Sequence, residues 1–301
     1  TKKPRGSLLS ALRGIFPANI QYWRTLKQDL WLYAMNNVIL ALFATLLIPI
    51  TSNYYRDWAA PKVEAFLTLH FGRSIAPATN GFWPDLIYTL GILIAGDLGR
   101  YFAHRCAHRF PTLWEFHKVH HSARSLNPMA FFRQHFVDIV FTQSIMGVSM
   151  GLSSGITQFV FGLTPSIVTL GGVAVFSGFF AVTGVLRHSH IWWSYGKLEY
   201  VFTSPAMHLI HHSASPEHFD KNFGSDFMIW DLIFGTIYFT EKKPIANLKF
   251  GVRDHFDWEN ASPWQYIWHP LTEGAKIAFK RNRPAASLHR IKRRESNRKA
   301  A

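Results

Sequence analysis

Long apolar runs separated by polar segments alternate along the chain and predict membrane helices. The first run covers residues 32–50, about the length needed to cross a hydrocarbon core. A second run starts at residue 83, and as a helix it reaches about residue 103 and extends beyond the bilayer. Two more runs, about 136–161 and 166–187, are joined by GLTP, which is typical of a turn. The pattern therefore predicts about four transmembrane helices.

The predicted fold is an all-α integral membrane protein with a cytosolic helical cap. Residues 1–31 are interpreted as a basic amphipathic segment at the membrane surface, and their pattern is not that of a signal peptide. Residues 51–82 are interpreted as a polar connection. We assign residues 32–240 to a transmembrane and histidine-rich catalytic domain. Residues 241–301 form a cytosolic segment with a basic tail.

The number of crossings decides on which side the polar segments lie. With a cytosolic N-terminus, four crossings place both residues 104–135 and residues 188–301 in the cytosol. Three or five crossings would separate the histidine clusters or leave the basic tail outside. We therefore expect a multi-pass protein with its histidine clusters and both termini on the cytosolic side.

Composition supports a membrane protein, since 48% of residues are hydrophobic, 16% aromatic and only 17% charged. The net charge of +14 is concentrated at the chain ends, where attraction to anionic headgroups explains it. No nucleic-acid recognition module accompanies that charge, so no nucleic-acid partner is expected. The single cysteine, Cys106, excludes an intrachain disulfide and points away from the helix face of His104 and His108.

Histidine spacing indicates a metal centre, because 12 of the 16 histidines lie between His104 and His218. Three sets stand at helical intervals of three and four residues, so each set shares one helix face. Pro111 is expected to break the helix between the first two sets. The sets are His104 and His108; His117, His120 and His121; and His208, His211 and His212. Eight or more imidazoles exceed the needs of one ion, which predicts two metals.

Polar residues near these sets are candidates for supporting the ligands. Asp97 lies two helical turns before His104, where it could hydrogen-bond an imidazole or equally serve as a helix-packing carboxylate. The segment DKNFGSDFMIWD suggests turns packed over the metal, with Asn222, Asp226 and Asp231 as candidate ligands or orienting groups. His135 is expected to be a packed or capping histidine instead of a ligand.

Four motifs together resemble the fatty acid hydroxylase and sterol desaturase superfamily of integral-membrane di-iron enzymes. They are D-x3-Y-x2-H-R-x2-H, L-W-x-F-H-x2-H-H-S, S-P-x2-H-x2-H-H-S and D-K-N-F-G, and the resemblance covers about residues 90–240. It implies that the eight histidines above are iron ligands. A ninth ligand is implied between the second and third motifs, where His188-Ser189 matches the usual pattern and His190 replaces the usual asparagine. His188 is the preferred ligand, and His190 is its rival.

The resemblance also implies a reaction. Two iron ions would use O2 and external electrons to hydroxylate an unactivated C–H bond of a lipid or sterol-like substrate. Desaturation or ether cleavage at the same site is the alternative, and a histidine-rich metal transporter is a more remote one. A separate reductase or electron carrier is implied, because the chain has no cofactor motif for electron transfer. Purified protein could contain zinc, because imidazole also suits zinc. The substrate itself stays open.

Overall fold

The computed structural model describes residues 20–46, 51–72, 81–161, 182–240, 245 and 248–279. These residues form α-helices joined by irregular segments, and within them β structure is limited to isolated bridges. The all-α prediction is thus confirmed for the described chain. The helices are α1 Ile20–Leu46, α2 Ser52–Phe71, α3 Phe82–Arg109, α4 Pro111–His121, α5 Phe136–Phe161, α6 Pro205–His211, α7 Ile229–Ile233 and α8 Pro263–Phe279.

Two helices, α3 and α5, are long and apolar enough to cross a membrane by length and composition. They coincide with the second and third predicted spans. The fourth apolar run, 166–187, falls mainly on residues 162–181, which lie outside the described residues, and only 182–187 is described as helical. The first run lies on α1, whose described residues do not meet the same criterion. Four crossings therefore stay a prediction.

Helix α1 begins at Ile20, well before the predicted boundary near residue 32. A buried stripe at intervals of three and four residues explains the early start, because one helix face is buried along this whole length. The stripe consists of Tyr22, Thr25, Asp29, Leu32 and Asn36. The side-chain amide of Asn36 donates to the carbonyl oxygen of Gln134, so the polar residue in this apolar run has a partner.

The prediction of a polar connection at residues 51–82 is wrong for most of its length, because residues 52–71 form α2. Thr51 caps this helix by accepting from the backbone N–H of Tyr54. Helix α2 packs along α5, where glycines four residues apart allow close approach. A Cβ at Gly151 would lie 2.5 Å from the Cβ of Ala59. Tertiary packing of small side chains thus stabilises a helix that composition did not indicate.

A buried ion pair holds the segment before α5 against the N-terminal part of α1. The Arg133 guanidinium donates to the Asp29 carboxylate, and both side chains are almost wholly buried. Arg133 also donates to the hydroxyls of Ser122 and Tyr266, which follow α4 and lie in α8 respectively. Because breaking a buried pair costs about 3–5 kcal/mol, this cluster holds α1, α4 and α8 in a fixed arrangement around the histidines.

Candidate metal centre

Three helix ends bring the histidines together. Helix α3 supplies His104 and His108 from its last two turns, and Pro111 at the first turn of α4 redirects the chain as predicted. Helix α4 supplies three histidines, and α6 with its C-cap supplies three more. His188 follows the helical residues 182–187. Two groups result: His104, His108, His117, His121 and His211; and His120, His188, His208 and His212.

Within each group the ring nitrogens converge. In the five-histidine group, the Nε2 atom of His121 lies 3.1 Å from that of His108 and 3.2 Å from that of His211. In the four-histidine group, His208 Nε2 lies 2.9 Å from His188 Nε2 and 3.1 Å from His212 Nε2. The groups adjoin, because the ring centroids of His121 and His212 are 4.5 Å apart.

Five of the nine clustered histidines have an acceptor at Nδ1 that fixes the tautomer. Where Nδ1–H donates to an oxygen, the neutral ring presents its Nε2 lone pair on the opposite side. Most of these acceptors are backbone carbonyls, and one is a carboxylate. The pairs are His104 with Phe223 O, His117 with Asp138 Oδ2, His120 with Arg133 O, His188 with Gly184 O and His211 with Lys221 O.

Burial lowers the pKa of eight of the nine clustered imidazoles. Loss of solvent lowers the pKa of His211 to about 3, and it lowers the pKa of His120 well below the ordinary range. Neighbouring histidines lower both values further, because two adjacent imidazolium charges would repel. Neutral imidazole is the form that binds metal ions, so the site is prepared for metals at neutral pH.

The donor set fits two metal ions. Nitrogens bonded to one ion at about 2.1 Å lie roughly 3.0–3.4 Å apart, close to the Nε2 separations found here. In the described part of the chain, Nε2 of His104 and of His117 are buried without a hydrogen-bond partner. Such orphaned nitrogens are costly unless something binds them. Both atoms belong to the five-histidine group, and a cation held there would satisfy them.

Comparison with known proteins agrees with this geometry. Residues 89–236 match the fatty acid hydroxylase family, and this range includes all nine clustered histidines. Through these residues the chain is similar to the fatty acid hydroxylase family. The predicted resemblance is confirmed.

Curated relatives of this fatty acid hydroxylase family region act on lipids by name. An ornithine lipid hydroxylase of Rhizobium tropici is 32% identical over 52% of this chain and 45% of its own length. Alkylglycerol monooxygenases of Xenopus tropicalis and Danio rerio are each 28% identical, over 55% and 66% of this chain. The matches cover 33% and 40% of those two proteins, so the chain spans less than half of these relatives. No solved structure matches the chain.

Among the predicted supporting residues of this family region, Asp97 does not contact an imidazole. Its carboxylate accepts from the backbone N–H groups of Asp226 and Phe227 and from the Trp230 indole. Asp226 does not contact an imidazole either, because its carboxylate pairs with Arg100 and Arg187. Sequence spacing placed Asp97 on the correct helix face, but the loop that lies against it comes from much later in the chain.

Asn222 and Asp231 also lack direct contact with the imidazoles. The Asn222 amide bonds to backbone groups of Met207 and Tyr238. The Asp231 carboxylate accepts from the backbone N–H groups of Phe223 and Gly224. Asn222 nevertheless lies in the loop whose carbonyls accept from His104 and His211, and Asp231 on α7 binds that loop.

The two candidates for the ninth position are now separated by geometry. His188 lies in the four-histidine group, whereas the His190 ring packs edge-on against Tyr22 with centroids 5.7 Å apart. His135 is a packed capping residue as predicted: Nε2–H donates to Ile267 O, and Nδ1 accepts from the Val137 N–H at the start of α5.

Asp138 is the site residue that sequence reasoning missed. It lies in the first turn of α5 and accepts from His117 Nδ1–H at 2.9 Å, with both side chains buried. An ionisable residue inside an apolar run was the available signal, since such residues are costly in membranes unless they have a function. No sequence interval connects it to His117, because the two residues are on different helices.

Proposed function

We propose that this protein is a membrane-bound oxygenase in which each histidine group holds one iron ion and a lipid C–H bond is hydroxylated. The observation that carries the proposal is the convergence of nine imidazoles in two adjacent groups, within a region that matches the fatty acid hydroxylase family. The balanced reaction converts R–H, O2, two electrons and two protons into R–OH and water. When bound, the iron ions would supply the O2 reduction and the C–H oxidation.

The protein's own residues would hold the metals and exclude water. The ligands are His104, His108, His117, His121 and His211 for one ion, and His120, His188, His208 and His212 for the other. Backbone carbonyls and Asp138 would keep five of these rings in one orientation. Because these rings are buried, a reactive oxidant formed there would be shielded from bulk water.

A chain of aromatic residues supports a lipid substrate. Phe131 packs against the His188 ring with centroids 5.4 Å apart, and its neighbour Phe132 packs against Tyr33 of α1 at 4.8 Å. Tyr33 is exposed on α1. These residues lead from an exposed helix face to the four-histidine group, and an acyl chain would follow the same route.

Four membrane crossings, cytosolic histidine groups and a separate reductase or electron carrier complete the proposal. The relatives act on ornithine lipid and alkylglycerol, as their names state, which supports a membrane-lipid substrate. A metal transporter is less well supported, because His104 and His108 lie in the last turns of α3 and not near its middle.

Ether cleavage is the second candidate, and the similarity to alkylglycerol monooxygenases favours it specifically. Hydroxylation of a carbon next to an ether oxygen yields a hemiacetal, which breaks down to an aldehyde and an alcohol. Desaturation would instead remove two hydrogens. All three outcomes begin with hydrogen abstraction at the same site, and substrate placement selects among them.

The test is to express the full chain in a lipid-producing host under 18O2 and compare membrane lipids by mass spectrometry. A lipid with one added 18O supports hydroxylation, an 18O-labelled aldehyde supports ether cleavage, and loss of two hydrogens supports desaturation. His117→Ala and His211→Ala should abolish product, whereas the exposed His70→Ala serves as control. Full product formation by His211→Ala would overturn the site assignment.

A further inference from the structure

The loop of residues 220–224, sequence DKNFG, accepts hydrogen bonds from histidines on two different helices of the five-histidine group. Its Lys221 carbonyl accepts from Nδ1–H of His211 on α6 at 2.8 Å. Its Phe223 carbonyl accepts from Nδ1–H of His104 on α3 at 2.9 Å. One short stretch of backbone therefore orients two histidines that come from distant parts of the chain.

Asn222 lies between those two carbonyls and is fully buried at 0% exposure. Its φ of 55° is in the left-handed region, which asparagine tolerates better than most residues. The side-chain amide donates to the carbonyls of Met207 and Tyr238 at 3.1 and 2.9 Å and accepts from the Tyr238 N–H at 2.7 Å. Every polar atom of this amide thus fastens the loop, and Met207 belongs to α6 beside His208.

Asp231 holds the other half of the loop. It is also 0% exposed, and its Oδ1 accepts from the Phe223 N–H at 2.9 Å while Oδ2 accepts from the Gly224 N–H at 2.6 Å. The close approach requires glycine at 224, because a Cβ there would lie 2.8 Å from Asp231 Oδ2. The residue whose carbonyl orients His104 is therefore fixed at its N–H by a buried carboxylate.

The network then returns to the helix that carries His104. The Thr236 hydroxyl donates to Asp231 Oδ1 at 2.6 Å and contacts the Tyr101 hydroxyl at 2.9 Å. Tyr101 lies on α3, about one helical turn before His104. The four-histidine group has different acceptors, since His188 and His120 use the carbonyls of Gly184 and Arg133.

We propose that Asn222 and Asp231 are positioning residues that fix the Lys221 and Phe223 carbonyls and thereby the ring orientation and tautomer of His211 and His104. The inference rests on the proposed metal centre and extends it, because it makes metal affinity of the five-histidine group depend on this loop. The four-histidine group does not depend on the loop in the same way. Loss of either residue is therefore expected to release one metal and to retain the other.

The experiment measures metal per chain in the purified full-length protein after titration with a chelator. Asn222→Gly keeps the left-handed backbone available but removes the amide, and Asp231→Asn places an N–H group where an acceptor is needed. Each variant should lose one metal at a chelator concentration about 10–100-fold below that needed for the wild type. Asn260→Gly is the matched control, because this exposed amide bonds only within its own surface loop.

Three results would overturn the inference. The first is a wild type with two metals and variants that hold both equally tightly. The second is simultaneous loss of both metals with a lowered thermal midpoint, which would make the residues structural. The third is that Asn222→Gly retains metal as tightly as the wild type while Asn222→Ala does not, since the backbone conformation alone would then matter. A wild type that binds no metal would instead refute the proposed function itself.

Discussion

The pair between His117 and Asp138 offers the sharpest test of the metal centre. Of the five ligand-side histidines with a close Nδ1 acceptor, His117 is the one that donates to a carboxylate and not to a carbonyl. The distance is 2.9 Å, and the two side chains are 8% and 7% exposed, so solvent screens the interaction little. A buried carboxylate that accepts from the Nδ1–H of a metal ligand holds the ring in one orientation and strengthens metal binding.

Two substitutions separate the charge from the hydrogen bond. Asp138→Asn keeps an oxygen that can accept from His117 Nδ1–H, so it reproduces the neutral acceptors of His104 and His211. We expect its five-histidine group to bind metal about 10-fold more weakly. Asp138→Ala removes the acceptor, so the ring can rotate. We expect metal binding to be about 100-fold weaker, a loss of about 2.7 kcal/mol in binding free energy.

The assay is chelator competition on purified protein, with metal per chain measured by mass spectrometry. Asp57→Asn is the control, because that carboxylate on α2 is 66% exposed and pairs with its neighbour Arg56. The Asp138 variants should lose one of their two metals at a lower chelator concentration than the wild type. The reasoning is refuted if Asp138→Ala retains both metals at the chelator concentrations that the wild type withstands.

Two further predictions concern stability. Burial lowers the pKa of His135 to about 4, so as the pH falls below 6.5 the unfolded chain takes up a proton before the folded chain does. The contribution of His135 to stability is therefore full above pH 6.5 and decreases toward pH 4, by about 1 kcal/mol at pH 5.5. The thermal midpoint should fall less between pH 7.5 and pH 5.5 in His135→Gln than in the wild type. An equal fall in both proteins would contradict the assignment. Gly151→Leu should separate α2 from α5 and lower the free energy of unfolding by about 1–3 kcal/mol or more. Its Cβ alone would lie 2.5 Å from the Cβ of Ala59. Thermal stability in detergent measures this, with the half-exposed Leu152→Met as control; an unchanged midpoint would count against the packing.

Local sequence signals were sufficient for the elements that carry the histidines. Spacing at three and four residues identified the shared helix faces, and Pro111 marked the break between α3 and α4. The apolar runs of α3 and α5 were also readable, since helix length and hydropathy are local properties. These predictions succeeded because each depends on residues close in the chain.

Predictions failed where long-range packing decides. Residues 52–71 contain Pro61 and polar side chains, yet they form α2 because α5 offers a groove of glycines. For Asp97 the sequence left open whether it orients an imidazole or packs against another segment, and in the fold the loop around Asp226 uses both its oxygens. Which acceptor an N–H group finds depends on the segments that the fold places next to it. Sequence spacing does not identify those segments, because they are distant in the chain.

The sequence by itself therefore determined the candidate ligand type, eight of the nine clustered histidines and the helix faces that hold them. The tertiary structure decided how nine imidazoles divide into groups of five and four, and that His188 joins them while His190 packs against Tyr22. It also decided that Asp138 and the carbonyls of the 220–224 loop orient the rings. Ring orientation depends on hydrogen bonds between distant segments, and only the folded chain brings those segments together.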